Sequence, residues 1–193
     1  IILYLGGMSE KLRLEFSNDP AIVDQILALQ LVNLRQNISS AEAKDQGFVY
    51  VHHKKEALQS VCDTEPAVVG LVDTELAGYA ICMHKKFKDQ VPELQKLLTL
   101  IDSILPQYVQ MNNPSYLICG QVCVNKNFRG LGLMSMLYEK MKDLSSKYQF
   151  CVTEISSQNT RSLHVHNQVG FKIIHTYTKH DEEWNIVLWD WNH

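Results

Sequence analysis

Apolar and polar positions change their period along the chain, and the changes mark out a succession of strands and helices. Leu12-Arg13-Leu14-Glu15-Phe16 alternates as a half-buried strand does, and Ser17-Asn18-Asp19-Pro20 then supplies a capping side chain followed by proline. Ile22, Ile26 and Leu29, with Val32 or Leu34 next, recur at helical spacing and predict a helix over residues 21–35. A short second helix opens at Ser40 and is stopped by Gly47. Residues 48–52 read as extended and 54–61 as helical again. Val68-Val69-Gly70-Leu71-Val72 and Leu76-Ala77-Gly78-Tyr79-Ala80-Ile81 flank Asp73-Thr74-Glu75, the pattern of an antiparallel hairpin.

The second half repeats this alternation of types. Residues 88–114 carry Leu94, Leu97, Leu98, Ile101 and Ile104 at helical spacing before Pro106, a helical insertion between strands that is placed to shape a pocket. The apolar run 116–125 predicts a buried strand. Residues 131–147, through Leu133, Met136, Leu137, Met141 and Leu144, predict a strongly amphipathic helix. Residues 150–155 read as strand, 160–169 as helix, and 171–177 and 184–189 as closing strands. Such an order gives a mixed sheet with helices packed on both faces.

Composition narrows the picture further. At 193 residues, 46% of them apolar, the chain suits one domain, expected over residues 8–193. Residues 1–7, Ile1-Ile2-Leu3-Tyr4-Leu5-Gly6-Gly7, precede an internal Met8 and share Leu, Tyr and a final Gly with a common protease-site scar, so they read as an expression-tag remnant. The net charge of −3 shows no basic excess, which argues against nucleic acid or an anionic membrane as partner and suits a cationic acceptor. Five cysteines, odd in number and without metal-type spacing, read as reduced core thiols. No run reaches the roughly 18 apolar residues that span a bilayer. A cytoplasmic protein is the expectation.

The chemistry concentrates after the strand 116–125. Asn127-Phe128-Arg129-Gly130-Leu131-Gly132 stands between that strand and an amphipathic helix, where glycines let main-chain N–H groups converge on an anion and the helix dipole favours it. The Lys-Ser/Thr ending of a nucleotide P-loop is absent, and so is the third glycine of a dinucleotide fingerprint. Arg129-Gly130-Leu131-Gly132-Leu133-Met134 resembles the Arg/Gln-x-x-Gly-x-Gly/Ala signature of the GNAT N-acetyltransferases, with Met134 standing where a small residue is usual. The resemblance extends over residues 11–192 in element order and recurs at Asn159-Thr160-Arg161-Ser162 through Val169-Gly170-Phe171.

That resemblance implies a mainly antiparallel α/β fold of the α+β type, with six or seven strands and a splay between strands 116–125 and 149–156. It implies acetyl-CoA as cofactor, with the pyrophosphate on the N–H groups of residues 131–135 and the pantetheine arm beside Val122, Cys123 and Val124. The cofactor-binding residues expected are Val122, Cys123, Val124, Arg129, Gly130, Leu131, Gly132, Leu133, Met134, Ser135, Asn159 and Ser162. The activity implied is acetyl transfer to a primary amine of a small molecule or peptide, and dimers, frequent in the family, leave a homodimer open. A non-catalytic acyl-CoA-binding module and a plain phosphate binder are the alternatives.

Amine chemistry needs a base, because an alkyl ammonium with a pKa of about 10 is not a nucleophile. Glu154, five residues before Asn159 and twelve before His166, resembles in spacing the Glu, Asn and Tyr arrangement of the ribosomal-protein N-terminal acetyltransferase branch. The resemblance makes Glu154 the base, acting through water, and His166 the proton donor at the tyrosine position. The structural alternative has Glu154 pairing with a lysine and His166 as a satisfied helix histidine. Cys123 reads as buried thiol rather than acyl carrier, since no base adjoins it. His52 and His53, adjacent and so on opposite faces of a strand, read as surface, and His164 and His166 cannot share a helix face to bind zinc.

Overall fold

The computed structural model describes residues 2–5, 8–89 and 92–192; Ile1, Gly6 and Gly7, part of the segment read as a remnant, lie outside them. The alternating run at the start is β2 (Met8–Ser17), to which β1 (Ile2–Leu5) pairs antiparallel. Asp19 then caps α1 (Pro20–Asn33), its carboxylate accepting from the Ala21 N–H at 2.8 Å, with Pro20 in the first helical position where its missing N–H costs nothing. Ser39 caps α2 (Ser40–Gln46) in the same way, and Gly47, at φ 77°, stops it. After α3 (Lys55–Thr64) come β3 (Ala67–Val72) and β4 (Glu75–Met83), the hairpin expected from their pattern.

Two later helices depart from expectation. The insertion helix, α4 (Pro92–Val109), runs through Pro106 instead of ending before it. The proline lies within a turn of the C-terminus, and Leu94, Leu97, Leu98, Ile101 and Leu105 bury their side chains in the core, which offsets one lost backbone hydrogen bond. Beyond β5 (Tyr116–Val124), α5 (Leu133–Met141) is shorter than the apolar period indicates, because Gly132 in the left-handed region sets its start and Lys142–Ser146 tighten into a 3₁₀ turn. β6 (Phe150–Ser156) and α6 (Thr160–Val169) follow, the helix bounded by the Asn159 cap and by Gly170 at φ 118°. β7 (Lys172–Lys179) and β8 (Glu182–Asp190) close the fold through His180 and Asp181, at φ 54° and 58°, a two-residue turn that matches the twist of the strands.

The sheet order is β1-β2-β3-β4-β5-β6-β8-β7, antiparallel everywhere except between β5 and β6. Seven of these strands, β2 to β8, make the mixed sheet the sequence implies, and β1 lengthens it at one edge. Apolar clusters fill both faces, with α1, α3 and α4 on one and α5 and the aromatic residues Phe171, Trp189 and Trp191 on the other. All five cysteines are free and buried. Among the described residues no helix is long and apolar enough to cross a membrane.

The feature that positions the site is a fissure. β5 pairs with β6 only at Tyr116↔Phe150, Leu117↔Cys151 and Ile118↔Val152, after which the strands part. A bulge opposite Ile81 and Cys82 puts Gly120 at the vertex, where a β-carbon would come within 2.9 Å of Met83 Cε. Thr153 Oγ1 donates to the Cys119 carbonyl at 2.8 Å and so covers one backbone acceptor that the parting leaves without a strand partner.

Candidate active site

On one side of the fissure lies a cleft of about 220 Å³ at the start of α5. Asn125 accepts from the Asn127 N–H and buried Phe128 anchors the loop, after which Gly130 (φ 79°) and Gly132 (φ 74°) turn the chain through left-handed conformations into the helix. Among the described residues no side chain caps α5, so the N–H groups of its first turn have neither an intrahelical nor a capping partner there. The space before them is clear: among the described residues nothing lies within 4 Å of a β-carbon built at Gly130, and at Gly132 only Met136 Cε does, at 3.9 Å. An uncapped helix terminus facing a glycine-lined hollow is a place for an anion.

Of the residues expected here, Val122, Cys123, Val124, Arg129, Gly130, Gly132, Leu133, Met134, Ser135, Asn159 and Ser162 line the cleft, and Leu131 does not. Arg129 has other duties: its guanidinium donates to Asn33 Oδ1 (2.5 Å), Glu42 Oε1 (3.3 Å) and the Val124 carbonyl (3.3 Å), tying α1, α2 and the end of β5 together. Asn159 is likewise engaged, Oδ1 accepting from the Ser162 N–H and Nδ2 donating to the Phe48 carbonyl. Gly47 sits against it so closely that a β-carbon would fall 2.9 Å from Asn159 Oδ1. Nothing in the sequence marks Gly47 and Phe48 as part of the site, and only the fold shows that the α2 terminus packs on the Asn159 cap. Arg161, part of the second motif but not among the cofactor-binding residues expected, lines the same cleft.

A second and larger cavity, about 710 Å³, lies between the parted strands, with Leu94 and Leu97 of the insertion helix and Met83 among its walls. It shares Phe48, Val49, Val122, Asn159 and Ser162 with the first. Glu154 faces it with its carboxylate already engaged: Tyr177 donates its hydroxyl to Oε2, and Lys179 Nζ lies 3.0 Å from Oε1. Burial and the adjacent carboxylate push the Tyr177 hydroxyl well above its ordinary pKa.

His166 departs from the proton-donor expectation. It is 2% exposed; Nδ1–H donates to the Ser162 carbonyl at 2.8 Å, which leaves Nε2 as acceptor of the Tyr138 hydroxyl at 2.6 Å. Burial lowers its pKa to about 4, against the favourable hydrogen bond to Ser162, so the ring is neutral at physiological pH and its one N–H proton is committed. His53 corrects the surface reading. It borders the larger cavity, its backbone N–H donates to Oε1 of fully buried Gln30, and Gln30 Nε2 lies 3.0 Å from Nδ1. Burial also lowers His53 to about 4.

A profile of the acetyltransferase (GNAT) family matches residues 36–171. The chain belongs to the GNAT acetyltransferase family. Solved structures agree in fold. A Salmonella typhimurium protein solved with its cofactor acetyl-CoA is 13% identical, with 95% of each chain covered and a TM-score of 0.63. The Drosophila melanogaster polyamine N-acetyltransferase, also 13% identical, covers 93% of this chain and 100% of its own at a TM-score of 0.67. The Escherichia coli ribosomal-protein-S18-alanine N-acetyltransferase is 11% identical over 95% of this chain and 96% of its own, with a TM-score of 0.61. No match was found among curated proteins.

Burial pushes the Cys123 thiol of this GNAT domain up to about 12, only partly offset by the Arg129 charge, which disfavours the thiolate that acyl uptake would need. Among the described residues no cluster of His, Cys, Asp and Glu is arranged to hold a metal ion.

Proposed function

We propose that this GNAT domain is an N-acetyltransferase that moves an acetyl group from acetyl-CoA to a primary amine of a small molecule or peptide. The observation that carries the reading is the junction of two cavities at Val122 and Asn159, one fronted by an uncapped helix terminus and the other by carboxylates. Acetyl-CoA, when bound, supplies an activated acetyl thioester. The N–H groups of residues 131–135 hold its pyrophosphate, and Arg161 adds a positive charge to the same cleft. Val122, Cys123 and Val124, on the part of β5 that has no β6 partner, give backbone groups to the pantetheine arm as an added strand would.

On the acceptor side Glu154 serves as base through a water, each of its oxygens keeping a lone pair beyond the donors it already has. His166 acts by position, fixing the Tyr138 hydroxyl and the first turn of α6 from which Asn159 and Ser162 face both cavities. Five buried free thiols support a reducing, cytoplasmic setting.

The prior engagement of Glu154 by Tyr177 and Lys179 favours one other reading, a module that binds acyl-CoA without turnover. Release of CoA thiol over a panel of amines separates the two. Steady release with any amine establishes the transferase. CoA affinity in calorimetry with no release across the panel establishes the binding module instead.

A further inference from the structure

The charged side chains of the larger cavity do not balance. Glu154 is matched by Lys179, whose Nζ also lies 4.9 Å over the Trp184 ring. Glu182 is the cross-strand partner of Lys179 at the mouth of the β7–β8 hairpin, yet among the described residues no cation pairs with it. Two neutral hydroxyls attend it instead. Tyr50 donates at 2.6 Å and Ser156 donates as well, both to the same oxygen, Oε1. Paired donors on one oxygen fix the plane of the carboxylate, and among the described residues Oε2 has no hydrogen-bond partner.

The surroundings are aromatic. The Tyr50 ring lies 4.9 Å from Trp184 and 5.0 Å from Phe48, and all three border the cavity with Glu182. Aromatic faces attract cations through their quadrupoles, as Arg35 over Phe48 at 5.5 Å and Lys179 over Trp184 already show, and a half-buried carboxylate without an ion-pair partner does so more strongly. Anions and neutral polar groups gain nothing comparable from this wall. Position sets the reach: Ser156, which holds Glu182, stands two residues beyond Glu154 on β6, and two residues of strand span roughly 7 Å. The two carboxylates are therefore within one short chain of each other.

We propose that Glu182, oriented by Tyr50 and Ser156 and flanked by Trp184, is a subsite for a second cationic group on the acceptor, so that the preferred acceptors carry an ammonium or guanidinium a few methylenes from the amine that reacts. The inference deepens the acetyl-transfer reading and depends on it only for calling the ligand an acceptor. Lys179 is too committed to Glu154 and Trp184 to fill this role itself, since its ammonium lies outside ion-pair distance of Glu182 although the two residues are strand partners.

Binding without turnover tests it. Calorimetry on the full chain with diaminopentane and with pentylamine should show the diamine bound at least about tenfold more tightly, and Glu182→Gln should abolish that preference while leaving pentylamine unchanged. Tyr50→Phe, which removes one of the two orienting donors from a half-exposed ring, should lose about threefold for the diamine alone, and it provides the reading if Glu182→Gln fails to fold. Equal affinities in the wild type, or a preference that survives both substitutions, overturns the subsite. CoA release measured in parallel keeps the two ideas apart: diamine preference without release refutes transfer and leaves the subsite standing, whereas release with equal affinities does the reverse.

Discussion

Replacing His166 by glutamine should flatten the acid side of the protein's stability curve. In the fold the ring titrates at about 4, against 6.5 for an unburied histidine, so between those values the unfolded chain binds a proton that the folded chain refuses. A depressed folded pKa of this kind gives stability that is complete above about pH 6.5 and is lost as pH falls toward about 4. A tenfold difference in proton affinity between the two states is worth about 1.4 kcal/mol, so lowering pH from about 7.5 to about 4.5 removes roughly 2–3 kcal/mol through this ring alone. Half-buried His53, also held at about 4, contributes a smaller share discounted for its partial solvation. Glutamine keeps an acceptor for the Tyr138 hydroxyl but cannot titrate; its cost at neutral pH should be about 1 kcal/mol. Urea unfolding of both proteins across that range measures the difference. Parallel curves, with no convergence of the two midpoints toward low pH, would refute the account of His166 as a buried neutral ring.

Gly132→Asp should weaken CoA binding by about tenfold or more in calorimetry, because it strains a residue at φ 74° and sets a negative charge before the uncapped helix terminus; Gly132→Ala, with the strain and no charge, should lose less. Glu154→Gln should lower kcat about a hundredfold for an amine substrate while CoA affinity stays within twofold, and a kcat within threefold of wild type across about pH 6 to 9 would remove Glu154 from the chemistry. Arg129→Met should lower the melting temperature through loss of the contacts to Asn33, Glu42 and Val124, by about 1–3 kcal/mol of stability, and should affect CoA affinity less than Gly132→Asp does.

Local rules make most of the fold legible in the sequence. The cap before Pro20, the stop at Gly47 and the change of apolar period from two to 3.6 mark many of the element boundaries. The glycine loop between strand and helix is legible because its chemistry is main-chain and local. What fails is set by tertiary context. Burial of five leucine and isoleucine side chains holds α4 helical through Pro106, a contest that propensity alone decides the other way. His53 reads as surface because nothing in a window of ten residues reveals Gln30, fully buried on a helix twenty-three positions earlier. By spacing, His166 stands where the resemblance implies a tyrosine, but the sequence does not show that Tyr138 and the Ser162 carbonyl occupy both ring nitrogens. Lys179 and Glu182 lie far from the glycine loop in sequence and reach the cavity only because β7 and β8 fold back beside β6.

The wall common to both cavities bears on the order of events in a catalytic cycle. In the acetyl transfer proposed above, Phe48, Val49, Val122, Asn159 and Ser162 would each present one side to the donor and one to the acceptor, because these five residues line both cavities. A wall shared in this way favours seating both reactants together in a ternary complex, in which whichever enters first furnishes part of the surface that receives the other.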